Sequence, residues 1–354
     1  MKIFLAVSLV VCVCAGMAVA QSPRLPLGTV TSSPMFSCPA GYYPGAKCFQ
    51  ATVSCPNTAN IQATYGYVNP SGTPRGTIVF FNGKGGTQTY GGSNTGNGYG
   101  TKFLNDGYRI VQNAWTSDWE DTGISGNMSI KTAACRPATL LNYLFKNVYD
   151  QNGGMCAQGA SAGSGGLAYA LAWYGASDYL DKVELLSGPV FGDIEQGCME
   201  PEPRDVTVCP GNQFGCVGRS WQDNPSYVIG TMETVAHWTG QQCQQGRQTS
   251  QTSNSDWKSM SIVDGTLDAS FSYPQTAMAG WLCSNGQNNS AAEGQFYYAN
   301  IKSAGQVASY SVTRIDRCSG PEGVESGVTP TGKNGFLAIV ADMEDSVAGC
   351  VKRH

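Results

Sequence analysis

Residues 159–163 read Gly159-Ala160-Ser161-Ala162-Gly163, a G-x-S-x-G pentapeptide between a short apolar stretch at 154–158 and an Ala-rich stretch at 164–174. Strand before and helix after is the context that gives this pattern chemical meaning. The serine then sits on a sharp strand-to-helix turn, and small residues two positions either side let neighbouring backbone come close. The helix N-terminus favours negative charge developing beside the serine. The chemistry so suggested is nucleophilic attack by Ser161 on an acyl carbon. Ser164 lies one turn into the helix and is the poorer candidate. A second backbone-rich segment, Phe81-Asn82-Gly83-Lys84-Gly85-Gly86, follows a buried-strand pattern at 75–81. Its glycines leave the main chain open to a ligand. Gly83, Lys84 and Gly85, with the N–H of Ala162, are therefore the candidate oxyanion donors. A phosphate loop is excluded, because G-x-x-x-x-G-K-[ST] does not occur.

An activated serine needs a base, and the chain has two histidines, His237 and His354. His237 falls in a helical pattern at 234–240 and is the candidate base. His354 is the last residue, four positions past Cys350, and chain termini are usually mobile. Glu322 could accept a proton only if burial raised its affinity for one.

The FFNGKGG loop, the QGASAGSGG elbow, the LLSGP strand end and the VDGTLD segment together resemble the α/β-hydrolase superfamily. The likeness is to secreted, disulfide-rich esterase- or lipase-like members and spans roughly residues 60–350. It implies an eight-stranded, mainly parallel sheet, a Ser-acid-His triad and hydrolysis of an ester or related acyl bond. In that resemblance Asp268 takes the acid position, with Asp264 as runner-up and Asp193 weaker. The base should follow the last strand, where this chain reads Asp316-Arg317-Cys318-Ser319-Gly320-Pro321-Glu322-Gly323-Val324 and carries no histidine.

Composition narrows the setting. The chain has 354 residues with 21 Lys and Arg against 25 Asp and Glu, so the net charge is −4. That balance argues against nucleic-acid binding, which needs a basic surface. Residues 1–20 carry Lys2, an apolar run too short to span a bilayer comfortably, and Ala18-Val19-Ala20, the pattern of a cleaved export signal. Of 14 cysteines, Cys12 and Cys14 leave with that signal. The other twelve predict six disulfides in an oxidising compartment. Asn127-Met128-Ser129 and Asn288-Asn289-Ser290 are glycosylation sequons. No metal or cofactor motif is present, and no later run is long enough to cross a membrane.

Stepping outward, residues 21–60 read as a Cys/Pro-rich arm and 61–354 as one α/β domain with a cap insertion at about 192–258. Strand patterns fall at 75–81, 108–112, 154–158, 183–186, 260–263 and 308–315. Helical patterns fall at 133–149 and 164–174, with a last one through Phe336, Val340, Met343 and Val347. Alternation of this kind predicts a mainly parallel sheet covered on both faces. Trp115 and Trp119, after the second of these strands, are candidate pocket or anchor residues. The expectation is a secreted serine hydrolase acting on a small-molecule or polymer ester through Ser161, Asp268 and His237. The alternative is a catalytically silent ligand-binding protein with the same fold. Nothing in the sequence selects a third reading, an isomerase or lyase using the oxyanion loop, and oligomeric state is left open.

Overall fold

A computed structural model describes residues 24–89, 94–124, 129–192, 194, 259–262, 269–283, 289–318 and 323–354. Short apolar runs bounded by turns form strands buried on both sides. These are β4 (Gly76–Phe81), β6 (Gly154–Ala160) and β7 (Lys182–Leu186). β5 (Arg109–Trp115) and β9 (Val307–Ile315) complete the strands legible by pattern. Four more were not: β1 (Thr29–Ser32), β2 (Lys47–Ser54), β3 (Ile61–Val68) and β8 (Tyr273–Cys283). They make one nine-stranded sheet in the order β1-β2-β3-β5-β4-β6-β7-β8-β9. The pairs from β1 through β3 to β5 are antiparallel, and the pairs from β5 to β9 are parallel.

Helices cover both faces, as parallel crossovers require. One face carries α1 (Asn94–Asn105) and α5 (Gly335–Met343), which bury Tyr99, Phe103, Ile339 and Met343. The other carries α2 (Cys135–Asn147), α3 (Ala162–Tyr174) and α4 (Asn289–Ala304). The apolar stripe of α2, with Leu140, Leu141 and Leu144 fully buried, is the one its periodicity predicts.

The sequence expectations change in three places. Nine strands replace eight. Part of the expected arm is sheet: β1 and β2 pair antiparallel at the edge, and Cys38–Cys48 and Cys55–Cys135 fix that edge. Residues 259–262 are not a strand; Ser259 and Met260 are helical, and Ile262 N–H donates to Gly192 O at 3.0 Å. Cys156–Cys350 and Cys283–Cys318 bring the described disulfides to four; the other four cysteines, Cys198, Cys209, Cys216 and Cys243, lie outside the described residues. So do the signal segment, both sequon asparagines and nearly all of the cap insertion. Among the described residues no helix is long and apolar enough to cross a membrane.

The end of α1 meets the end of α5 through carboxyl groups. Glu344 caps α5, and Asp106 follows α1. Burial, then a hydrogen bond to Asp106 and its negative charge, raise the Glu344 pKa to about 7, against the opposing pull of Lys102 and Arg75. Lys102 pairs with Asp106 and lies 3.8 Å from Glu344 Oε1. The folded chain therefore holds a proton here that the unfolded chain releases above 4.5, the ordinary value. The stability from this site is present at low pH and is lost as pH rises toward about 7. Glu344→Gln should flatten the fall of Tm across that window relative to wild type. Thermal melts at stepped pH measure it, and an unchanged slope would refute the shared proton.

Candidate active site

Ser161 stands between β6 and α3 with φ 49° and ψ −120°. A side chain rarely tolerates that backbone, and tight packing around it holds it there. Its N–H donates to Leu186 O at 2.9 Å, tying it to β7. Its carbonyl accepts from Ser164 N–H at 2.8 Å and from Ser164 Oγ at 2.6 Å. Ser164 is thus a brace under the elbow, fully buried. The flanking glycines explain the rest of the pentapeptide. A Cβ on Gly163 would overlap Phe81 O and lie 2.8 Å from Asn82 O. A Cβ on Gly159 would lie 2.6 Å from Gly163 O. Only glycine lets β4, β6 and α3 converge this closely.

The loop after β4 lies against the elbow. A Cβ on Gly83 would be 3.1 Å from Ser161 Cβ and 3.7 Å from its Oγ. Lys84, Gly85 and Gly86 follow at φ 50°, 64° and 75°. The Gly83 N–H is engaged by Asn82 Oδ1 at 2.9 Å, and the Gly86 N–H by Gly83 O at 3.0 Å. Gly83 gives Ser161 clearance, and its N–H, one of the candidate donors read from sequence, is bonded to Asn82 Oδ1. Lys84 and Gly85 keep the candidate donor role in this loop. Ala162 opens α3, where N–H groups have no intrahelical acceptor.

Placement of the two segments follows from topology. The chain leaves β4 toward β5 on one side and leaves β6 toward β7 on the other, although β4 and β6 are neighbours. Crossovers that diverge in this way open a crevice at the carboxyl ends of the two strands. Ser161 and the Gly83 loop occupy it. Strain gathers at the same edge: Lys84, Ser161, Ser187, Phe191 and Arg317 all have positive φ. The chain has the α/β-hydrolase fold.

No protein-family model and no curated protein matches the sequence. Solved structures similar to this α/β-hydrolase fold include a lipase in its open form, with TM-score 0.43 and 14% identity over 80% of this chain and 93% of that one. An acetyl xylan esterase from Paenibacillus sp. R4 gives 0.45 and 13% over 84% and 85%. An acylaminoacyl peptidase from Pyrococcus horikoshii gives 0.49 and 10% over 93% of this chain and 43% of that one. Likenesses this distant decide nothing about the reaction, and the fold rests on the sheet order and the elbow.

Of the sequence-derived triad, Ser161 is described, whereas His237 and Asp268 lie outside the described residues, as do Asp264, Asp193 and Glu322. His354 is described and is at the wrong end. Its Nε2 lies 3.3 Å from Leu180 O, and the next residue, Asp181, donates its N–H to Met155 O at 2.8 Å. Met155 precedes Ser161 by six positions along β6, so about 20 Å of strand separates them. That removes His354 as the base of Ser161. After Asp268 the chain passes Ser270, whose N–H donates to Ala172 O at 2.9 Å near the far end of α3. The described carboxylates at the elbow's edge of the sheet include Asp118, Glu120 and Asp316. Asp316 accepts from Arg314 Nε at 2.9 Å just past β9, and Cys283–Cys318 ties that turn to the end of β8.

Trp115 and Trp119 are buried and pack on Gly86, so they anchor the loop after β4. Glu120 is buried, and desolvation, then the charge of Asp118, hold its carboxyl well above the usual range. The sequence reading passed over Asp118 and Glu120, although D-W-E-D directly after a strand at this edge was the available signal. Among the described residues no group of three or more His, Cys, Asp or Glu could hold a metal ion.

The elbow strain is measurable. Glycine adopts φ 49° freely, so Ser161→Gly removes the hydroxyl and should stabilise the fold by about 1 kcal/mol. Urea denaturation would read this, and a destabilised variant would show that the backbone is unstrained.

Proposed function

We propose that the protein is a serine hydrolase that cleaves a carboxylic ester through an acyl-Ser161 intermediate. The observation that carries this reading is the strained Ser161 backbone with the Gly83 loop beside it, where a Cβ on Gly83 would lie 3.1 Å from Ser161 Cβ. Ser161 Oγ attacks the ester carbonyl. The oxyanion is met by the N–H of Ala162 and by those of Lys84 and Gly85. His237 takes the serine proton and returns it to the leaving alcohol; water then repeats the step and frees the acid. His237 holds this role because His354 is anchored at the opposite end of the sheet. Asp268 is the acid proposed to orient it. No cofactor is invoked, and substrate size, small molecule or polymer, is set by parts of the chain outside the described residues. Four described disulfides and the export-type leader support secretion.

One observation favours a second reading. The described elbow has no imidazole beside it, and residues 316–324 have none in sequence. A protein that keeps the crevice and has lost the base would bind an apolar ester without turning it over.

A fluorophosphonate probe separates the two. Labelling at Ser161 in wild type, none in Ser161→Ala, and a loss of kcat/KM of about 10³-fold or more in His237→Ala are expected. His354→Ala should leave kcat/KM unchanged. Folded wild-type protein that resists the probe but binds a fatty-acyl ester, with Ser161→Ala binding equally well, would establish the silent form.

A further inference from the structure

We infer that Asp118 is a positioning residue, whose carboxylate holds Gly85, and so the Lys84 and Gly85 N–H groups, in register with Ser161. This rests on the acyl-serine reading above.

Three successive left-handed residues, Lys84 to Gly86, form the donor loop. Glycine-rich backbone has many alternatives to such a conformation, and losing them costs conformational entropy. An oxyanion hole works by being aimed before charge develops. Something outside the loop must therefore fix it.

Asp118 is placed to do so. Its carboxylate lies flat on Gly85, where any Cβ would overlap Asp118 Cγ and come within 2.6 Å of Oδ2. The carboxylate is itself oriented, since Oδ1 accepts from Glu120 N–H at 2.9 Å. The next residue completes the grip: Trp119 N–H donates to Gly85 O at 3.0 Å.

This turn is anchored from the core by Arg136 of α2, which is 2% exposed. Its guanidinium donates to Trp119 O at 3.1 Å, Thr122 O at 3.3 Å, Ala59 O at 2.6 Å and Asp121 O. A buried cation spent on four carbonyls makes residues 119–122 a rigid base from which Asp118 reaches Gly85. The same cation partly compensates the carboxylate, so Asp118 can lie near the oxyanion loop without fully opposing the charge that forms there. Burial, chiefly, and Asp121 raise the proton affinity of Asp118, while Glu120 N–H and Arg136 lower it.

The full chain is tested as Asp118→Ala, Asp118→Ser and Asp118→Asn, with Ser161→Ala as control. Serine keeps an acceptor for Glu120 N–H but cannot reach Gly85, so it serves if the alanine variant folds poorly. Asparagine keeps both shape and acceptor. Two readouts are taken: kcat and KM on a short-chain aryl ester, and amide hydrogen exchange at Gly86 and Trp119, whose N–H groups bond Gly83 O and Gly85 O. Alanine and serine should lower kcat about 10- to 100-fold, with KM within about twofold. They should also speed exchange at Gly86 and Trp119 at least tenfold. Asparagine should restore both to near wild type, and Ser161→Ala should abolish turnover without changing exchange. Unchanged exchange in the alanine and serine variants overturns the clamp, as does an asparagine variant as impaired as alanine. Wild type without turnover would defeat the acyl-serine reading alone, and exchange would still decide the clamp.

Discussion

The close approach of three backbones at Gly159 and Gly163 is the constraint on which the site depends. β4 ends against the first turn of α3 with no side chain between them. Phe81 pairs with Gly159 in the parallel ladder, so the end of β4 and the start of the elbow are in fixed register. Ser161 is held at its unusual φ from three sides: by β7 through its N–H, by Ser164 through its carbonyl, and by Gly83 across the crevice. Ser161 and the Gly83 loop thus lie at the ends of adjacent strands. Their separation is set by strand spacing and not by flexible loops.

Around that point the fold divides its duties between the two ends of the sheet. The carboxyl ends of the parallel strands carry Ser161, the glycine loop, most of the positive-φ side chains and buried Glu120. The amino ends carry the clamps. There Cys350 is bonded to Cys156, Arg353 pairs with the carbonyl and carboxylate of Asp181, and His354 rests near Leu180. Rigid support on one edge allows conformations of low intrinsic stability on the other.

The sequence made the centre of this fold legible and left its margins obscure, for physical reasons. β4, β5, β7 and β9 follow short β-branched or aromatic patterns, α2 and α5 follow apolar spacing, and α3 follows an Ala-rich run. β8 hides because Tyr273–Cys283 fills its buried face with Ala, Gly, Met and Trp, and Gly280 is there to admit the Tyr298 ring. α1 hides because Gly96, Gly98 and Gly100 weaken its intrinsic helicity; packing of Tyr99 and Phe103 holds it instead. β1 and β2 looked like an arm because Ser, Pro and Cys dominate the segment. The elbow serine was readable because its neighbours must be small. Asp118 was not, because what selects it is a glycine more than thirty positions earlier. His237 and the expected cap at 192–258 stayed a matter of sequence pattern.

The pinned tail has a practical meaning. Because residues 350–354 are tied to the amino ends of β6 and β7, His354 lies about 20 Å from Ser161, on the opposite edge of the sheet. A surface or fusion partner attached after His354 would therefore face away from the crevice. Immobilised by that end, the molecule would present its entrance to the solvent.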